Sequence, residues 1–264
     1  MTQRQWAPSR GTGWAMLISL IATLFVTLTV NVQIYTARWK FAAFYPDLSA
    51  MRARTISESI ADPRIGEPFA IWLLLSAVAL FVGVVLVSVP ALRELQRHGR
   101  ASQRVVGLTW LLVALQALAS VGMVVLSQYR FPEFRDQHMA GSYVFFFSQA
   151  FAIVTGEVLS RSYAAMGPEG TVVGRVWSPR FGRWRRGYVW VPIVLGVVYL
   201  CLFLGKGYAP EAYRYEVYAA YASTELLLLS GFLFYVTSYV PDMWCAWRGS
   251  RGAYGAVISS SAAS

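Results

Sequence analysis

The chain has 264 residues, of which 56% are hydrophobic and 14% charged, with a mean hydropathy of +0.47. A soluble domain carries about 25% charged residues, and a disordered chain is rich in charge and poor in aromatics; both classes are excluded. Two cysteines exclude a disulfide scaffold, which leaves an integral membrane protein whose net charge of +10 needs its own explanation.

Gaps between charges locate the membrane spans. Residues 11–37 carry no charge and predict a first helix over 14–35. Arg4 and Arg10 precede it as in a secretory leader, but the apolar run is too long and lacks a small-x-small cleavage site, so a retained helix is expected. Further runs predict helices over 68–90, 105–127, 138–158, 188–206 and 217–240, the last interrupted only by Glu225. About 20 apolar residues cross a bilayer core, and all six meet that length. Stretches such as 72–89 (WLLLSAVALFVGVVLVSV) do not alternate, so they are helices rather than barrel strands. The expected fold is an all-α polytopic bundle of six transmembrane helices forming one domain over 1–248. No internal repeat or interrupted helix pair is visible. The small, polar stretch 249–264 predicts an irregular tail.

An even number of spans puts both termini on one side. That side holds fourteen Lys and Arg against three acids, and the opposite side nine against eight. The positive-inside rule makes the termini cytoplasmic, and the same bias accounts for the net charge without a nucleic-acid partner. Arg180, Arg183, Arg185 and Arg186, beside Trp177, Trp184 and Trp190, read as an interfacial anchor before the fifth helix. They also suit anionic lipid headgroups. Cys201 lies within the fifth helix and Cys245 beyond the sixth, at opposite ends, so no disulfide is expected. Cys245 is an inert thiol or a palmitoylation site. The single asparagine, Asn31, precedes Val-Gln and is no glycosylation sequon.

Ionisable groups at membrane depth are costly and point to a purpose. Glu225 lies about eight residues, roughly 12 Å, into the sixth helix. Its options are protonation, a partner or a wet cavity, so a packing bond and a functional site both remain open. His138 opens the fourth helix from the same side and is either an interfacial residue or a base. Glu67 begins the second, where the helix dipole alone favours an acid. Glu67, His138 and Glu225 therefore share one half of the bundle and are the candidate site. Glu157 is expected to pair with Arg161 at i+4. Gln116 and Ser120, with Ser148 and Gln149, suit contacts between the third and fourth helices. Two histidines cannot build a three-histidine zinc site. No phosphate-binding, dinucleotide or Gly-x-Ser-x-Gly motif occurs. Neither a metal nor a cofactor is expected.

Three stretches carry a family likeness. Thr55–Glu67 (TISESIADPRIGE) runs into the second helix. Leu108–Phe147 contains His138-Met-Ala-Gly-Ser-Tyr. Ala222-Ser-Thr-Glu225 leads on to Phe232-Leu-Phe-Tyr-Val-Thr-Ser-Tyr-Val-Pro-Asp242. In this order and spacing, over roughly residues 14–245, they resemble the Frag1/DRAM/Sfk1 family of six-helix membrane proteins, most closely its DRAM-like autophagy-modulator branch. The departures are Glu58 where the family tends to Asp, Arg64-Ile-Gly in place of Pro-Pro, and Met-Ala-Gly-Ser after His138. The resemblance implies matching positions at Glu67, His138, Glu225 and Asp242. It implies a setting in a lysosomal, Golgi or plasma membrane, and roles in autophagy, GPI-anchor remodelling or lipid asymmetry.

Three functions follow as expectations. The leading one is a non-enzymatic, lipid-interacting modulator of membrane traffic, autophagy or lipid distribution, with membrane lipids and unidentified proteins as partners. The second is a lipid-remodelling acyl transferase with His138 as base and Glu67 or Glu225 supporting it. The third is a proton-coupled transporter using Glu225.

Overall fold

The computed structural model describes residues 9–165 and 179–261. Its long helices are α1 (Arg10–Phe44), α4 (Pro63–Arg97), α5 (Gln103–Gln128), α6 (Arg135–Ala164), α8 (Trp190–Gly205) and α9 (Arg214–Thr237). Short helices α2 (Pro46–Met51) and α3 (Ile56–Ser59) fill the loop after α1, α7 (Pro179–Tyr188) leads into α8, and α10 (Val240–Ser261) follows α9. No strand occurs among the described residues. Among the described residues, six segments are long and apolar enough to cross a membrane, matching the six predicted spans.

The helices outrun their apolar runs. α1 continues past Arg38 and Lys40, and α4 reaches from Pro63 to Arg97. A charge gap measures only the lipid-facing part of a helix, whereas the backbone stays helical into the interface until a cap ends it. Asp62 provides such a cap: its Oδ1 accepts from the Arg64 N–H at 2.9 Å, with Pro63 at the first helical position. Stretch 249–261 is continuous with α10 as helix, where composition predicted an irregular tail.

Two spans are interrupted, which the sequence did not suggest. α7 and α8 meet at Val189, and α9 gives way to α10 at Ser238–Tyr239, just before Pro241. Proline has no N–H to donate to the Thr237 carbonyl four residues back, and the helix is interrupted there. At the break Arg185 donates to the Ser238 carbonyl at 3.0 Å and to Asp242 Oδ2 at 2.7 Å. Its guanidinium lies 4.0 Å from the Tyr239 ring centroid. Arg185 is fully buried, which corrects its expected place at a lipid headgroup. Arg183 is exposed, Arg186 half-buried, and Trp184 stacks on Tyr188. Trp177 and the side chain of Arg180 lie outside the described residues.

α4, α5 and α6 follow one another as antiparallel neighbours, α1 packs on α4, α9 and α10, and α8 pairs with α9. α6 meets α8 and α9 at only a few points, so the bundle is loosely closed along that side. Buried residues form two apolar layers: one around Met16, Leu95 and Leu159 near the termini, the other around Ile34, Phe69 and Ile60 near the opposite end. Large side chains such as Leu28, Ile71 and Leu204 face outward, as lipid contact requires.

Polar side chains tie the spans together. Ser19 donates to the Gly83 carbonyl at 2.7 Å and Ser120 to the Ala77 carbonyl at 3.0 Å. Ser230 donates to Asn31 Oδ1 at 2.7 Å. Glu157 pairs with Arg161 at 2.8 Å as expected. Cys201 and Cys245 are both free thiols. α5 and α6 approach closely at Gly122 and Gly141, where a Cβ on Gly122 would lie 2.8 Å from the Gly141 carbonyl oxygen. Small residues let transmembrane backbones meet in this way.

Gly122→Val is therefore expected to destabilise the bundle by about 1–3 kcal/mol through overpacking, read as a lowered melting temperature in detergent, while Gly107→Val, with open space around its Cβ position, changes it little. Asp242→Leu strips the buried Arg185 of its carboxylate and is expected to cost about 3–5 kcal/mol. Restored stability in the double variant Arg185→Met/Asp242→Leu would identify the stranded charge as the cause.

Candidate functional site

Opposite the termini, the loop between α1 and α4 folds back over the bundle as α3. Thr55 and Glu58 form a reciprocal capping box around its first turn, and Glu58 pairs with Arg52. Beside it, the Tyr45 hydroxyl donates to Asp62 Oδ2 at 3.0 Å. Arg64 binds the same carboxylate and, aided by bonds from its own backbone N–H and from Tyr45, holds the Asp62 carboxyl down to about 2.

Two transmembrane side chains grip α3 from below. Glu225 Oε2 accepts the backbone N–H of Ile56 at 2.8 Å. His138 Nε2 is 2.8 Å from Ser57 Oγ, and its Nδ1 is 2.9 Å from the Tyr129 carbonyl oxygen. A carbonyl can only accept, so Nδ1 carries a proton. In the neutral ring Nε2 is then the acceptor and the Ser57 hydroxyl the donor. The Phe131 ring meets the imidazole edge-on at 5.5 Å between centroids. His138 and Glu225 are both buried, and Ser57 is half-buried.

Below α3 lies a cavity of about 530 Å³, within the range of roughly 300–1,000 Å³ usual for ligand pockets. Its polar end carries Ser57, Glu58, His138, Lys206, Tyr218 and Glu225. Aliphatic and aromatic side chains of α1, α4, α5, α6, α8 and α9 line the remainder. Tyr143, Phe147, Phe151, Val197 and Leu200 both line the cavity and are exposed. The cavity therefore opens sideways between α6 and α8, at the depth of the spans. Tyr199 and Tyr221 stack on its wall with hydroxyls 3.2 Å apart, and the Lys206 ammonium lies 3.9 Å from the Tyr221 ring centroid.

Of the three candidate residues, the structure brings His138 and Glu225 together through neighbouring residues of α3 and leaves Glu67 apart. The Glu67 side chain is 67% exposed and lies 4.0 Å from Arg130. Gln116 donates to Gln149 at 3.4 Å, bridging α5 and α6 as expected, but both line a second cavity of about 50 Å³ and not this one. Ser57 was not anticipated, since a loop serine carries no spacing signal of its own. Among the described residues, no three His, Cys, Asp or Glu side chains cluster as metal ligands would.

The Glu225–Ile56 bond predicts a graded response. Glu225→Ala leaves a buried N–H unpaired and is expected to cost about 1–3 kcal/mol. Glu225→Gln retains a carbonyl acceptor and is expected to lose under half of that, both read by thermal unfolding in detergent. Equal losses would mean that the bond to α3 is not what Glu225 contributes.

Searches against curated proteins and against solved structures gave no match. The family model described as the Frag1/DRAM/Sfk1/Cwh43P N-terminal domain matches residues 12–246. That range takes in α3, His138, Glu225 and all six spans, and the chain belongs to this family of multi-pass membrane proteins.

Proposed function

We propose that the protein is a lipid-interacting modulator of lipid distribution or membrane traffic, with its termini in the cytoplasm and a lipid chain held in the cavity beneath α3. The observation that carries this reading is the cavity itself: largely apolar along its length, with its charged groups toward α3, and open toward the bilayer between α6 and α8. A water-soluble ligand would enter from the aqueous face and find few partners along such walls. A lipid can slide in laterally with its acyl chain among the aromatics and its polar part near Lys206, Tyr218 and Ser57. Glu225 is occupied by the Ile56 N–H, which favours a structural part in the cavity's roof over proton carriage. Family membership and the basic bias of the terminal side support the orientation and the membrane-trafficking or autophagy role. The exposed Arg183 and the half-buried Arg186 remain suited to anionic headgroups on that side.

Lipid mass spectrometry on the purified protein tests this, with wild type beside Gly196→Trp. Gly196 lines the cavity, and a Cβ there makes only ordinary contact, 3.8 Å from Leu228 Cδ1. The indole is expected to fill the space without disturbing the backbone. Wild type should retain about one lipid of a defined class through extensive washing, as a pocket of this size allows. The variant should lose it while melting at an unchanged temperature. Only bulk lipid on both proteins would overturn the reading.

A further inference from the structure

Ser57 and His138 have a geometry that lipid binding alone does not call for. The hydroxyl lies 2.8 Å from Nε2, and the opposite ring nitrogen is fixed by the Tyr129 carbonyl at 2.9 Å. A hydroxyl on a base, with the base oriented by a third group, is the general arrangement of an activated nucleophile. Here a backbone carbonyl occupies the place that a carboxylate fills in Ser-His-Asp triads. The two residues come from sequence positions 81 apart, and both face the cavity. The imidazole is buried, and the serine on α3 is half-buried. α3 itself is anchored by the Glu225–Ile56 bond next to Ser57, so Glu225 is a positioning residue. Lys206 and Tyr218 line the same cavity.

We propose that Ser57 and His138 are a nucleophile–base pair that accepts the acyl group of a fatty-acyl ester lodged in the cavity. This rests on the cavity holding a lipid. In the first step, Ser57 Oγ bonds to the ester carbonyl carbon and its proton passes to His138 Nε2. The ester C–O bond then breaks, and the departing alkoxide takes that proton from His138. In the second step a hydroxyl acceptor, water or an alcohol, gives its proton to His138 and attacks the acyl-serine. The Ser57 ester bond breaks, and the proton returns to Ser57 Oγ. Neither step needs an oxidant, a reductant or a metal. The side opening between α6 and α8 admits the acyl chain. The loop end above α3 is where the alcohol portion would leave.

The test is covalent labelling of the full-length protein in lipid nanodiscs with hexadecyl fluorophosphonate, whose P–F bond is exchanged for a P–O bond to an activated serine with loss of fluoride. Peptide mass spectrometry is expected to place one adduct on Ser57, abolished in Ser57→Ala. His138→Gln should slow labelling about 100-fold, the low end of what a general base supplies, while Glu67→Gln labels as wild type does. Lipid retention and melting temperature are measured on the same samples, and Ser57→Ala is expected to keep both. Retained lipid with no adduct on Ser57, or equal labelling in a folded His138→Gln, would overturn the catalytic pair and leave lipid binding standing. Loss of lipid from the wild type together with loss of labelling would overturn both. Where labelling succeeds, incubation with a radiolabelled acyl ester separates the two acceptors: free fatty acid marks water, and a new ester marks an alcohol.

Discussion

A carboxyl group set into a membrane span must find a partner inside the protein, because lipid offers none. Glu225 meets that requirement with the N–H of Ile56, and much of the loop side follows. The bond draws a four-residue helix down onto the bundle, where the Thr55–Glu58 capping box completes its first turn. His138 engages the next residue from α6. With α9 and α6 both holding α3, the loop becomes a fixed roof, and the space left beneath it is the cavity. Glu225 and His138 thus matter first as architecture. The chemistry we assign to His138 exists only because α3 is held where its serine can be reached.

The same rule shapes the opposite end of the bundle by different means. Pro241 interrupts the last span, and the carbonyl of Ser238 is satisfied by Arg185, which also takes Asp242. Nearer the N-terminus, Thr12 of α1 donates to the buried Glu94 of α4 at 2.9 Å. Each is a polar group at a helix end answered by a side chain from another helix. This lets the segments meet at breaks and ends without leaving backbone groups unpaired. The two ends differ in what results: the terminal side holds a buried ion pair and a small cavity of about 50 Å³, whereas the loop side encloses about 530 Å³.

What the sequence revealed, and what it hid, follows from the range over which each signal acts. Long charge-free runs report hydrocarbon contact directly, so all six spans were legible. Their lengths were not, since helices such as α1 continue beyond the lipid on caps that composition does not display. Glu225 was conspicuous because an acid among apolar residues needs an explanation. The partner that explains it is a backbone N–H 169 positions away, and a backbone group has no signature in sequence. Glu67 seemed equivalent because position along a helix can be counted, but the direction in which it faces is set by packing, and it faces out. Arg185 failed the opposite way. Within an Arg- and Trp-rich segment it looked interfacial, yet one residue of the four meets Asp242 and is buried. Ser57 was invisible until tertiary structure set it against an imidazole.

The family's sequence pattern gains a physical reading from this geometry. The stretch before the second helix, the histidine opening the fourth and the glutamate of the last helix are far apart in the chain and would be odd companions as independent motifs. In the fold they are one object: α3 and the two side chains that seat it. Substituting Glu58 where an aspartate is usual keeps the capping role, because the longer acid still reaches back to the Thr55 N–H at 3.1 Å. The incomplete contact of α6 with α8 then acquires a consequence. Were those helices packed as closely as α5 and α6 are at Gly122 and Gly141, the roof would cover a solid core. With the side open, it covers a chamber that faces the membrane, and the Ser57–His138 pair stands at its polar end.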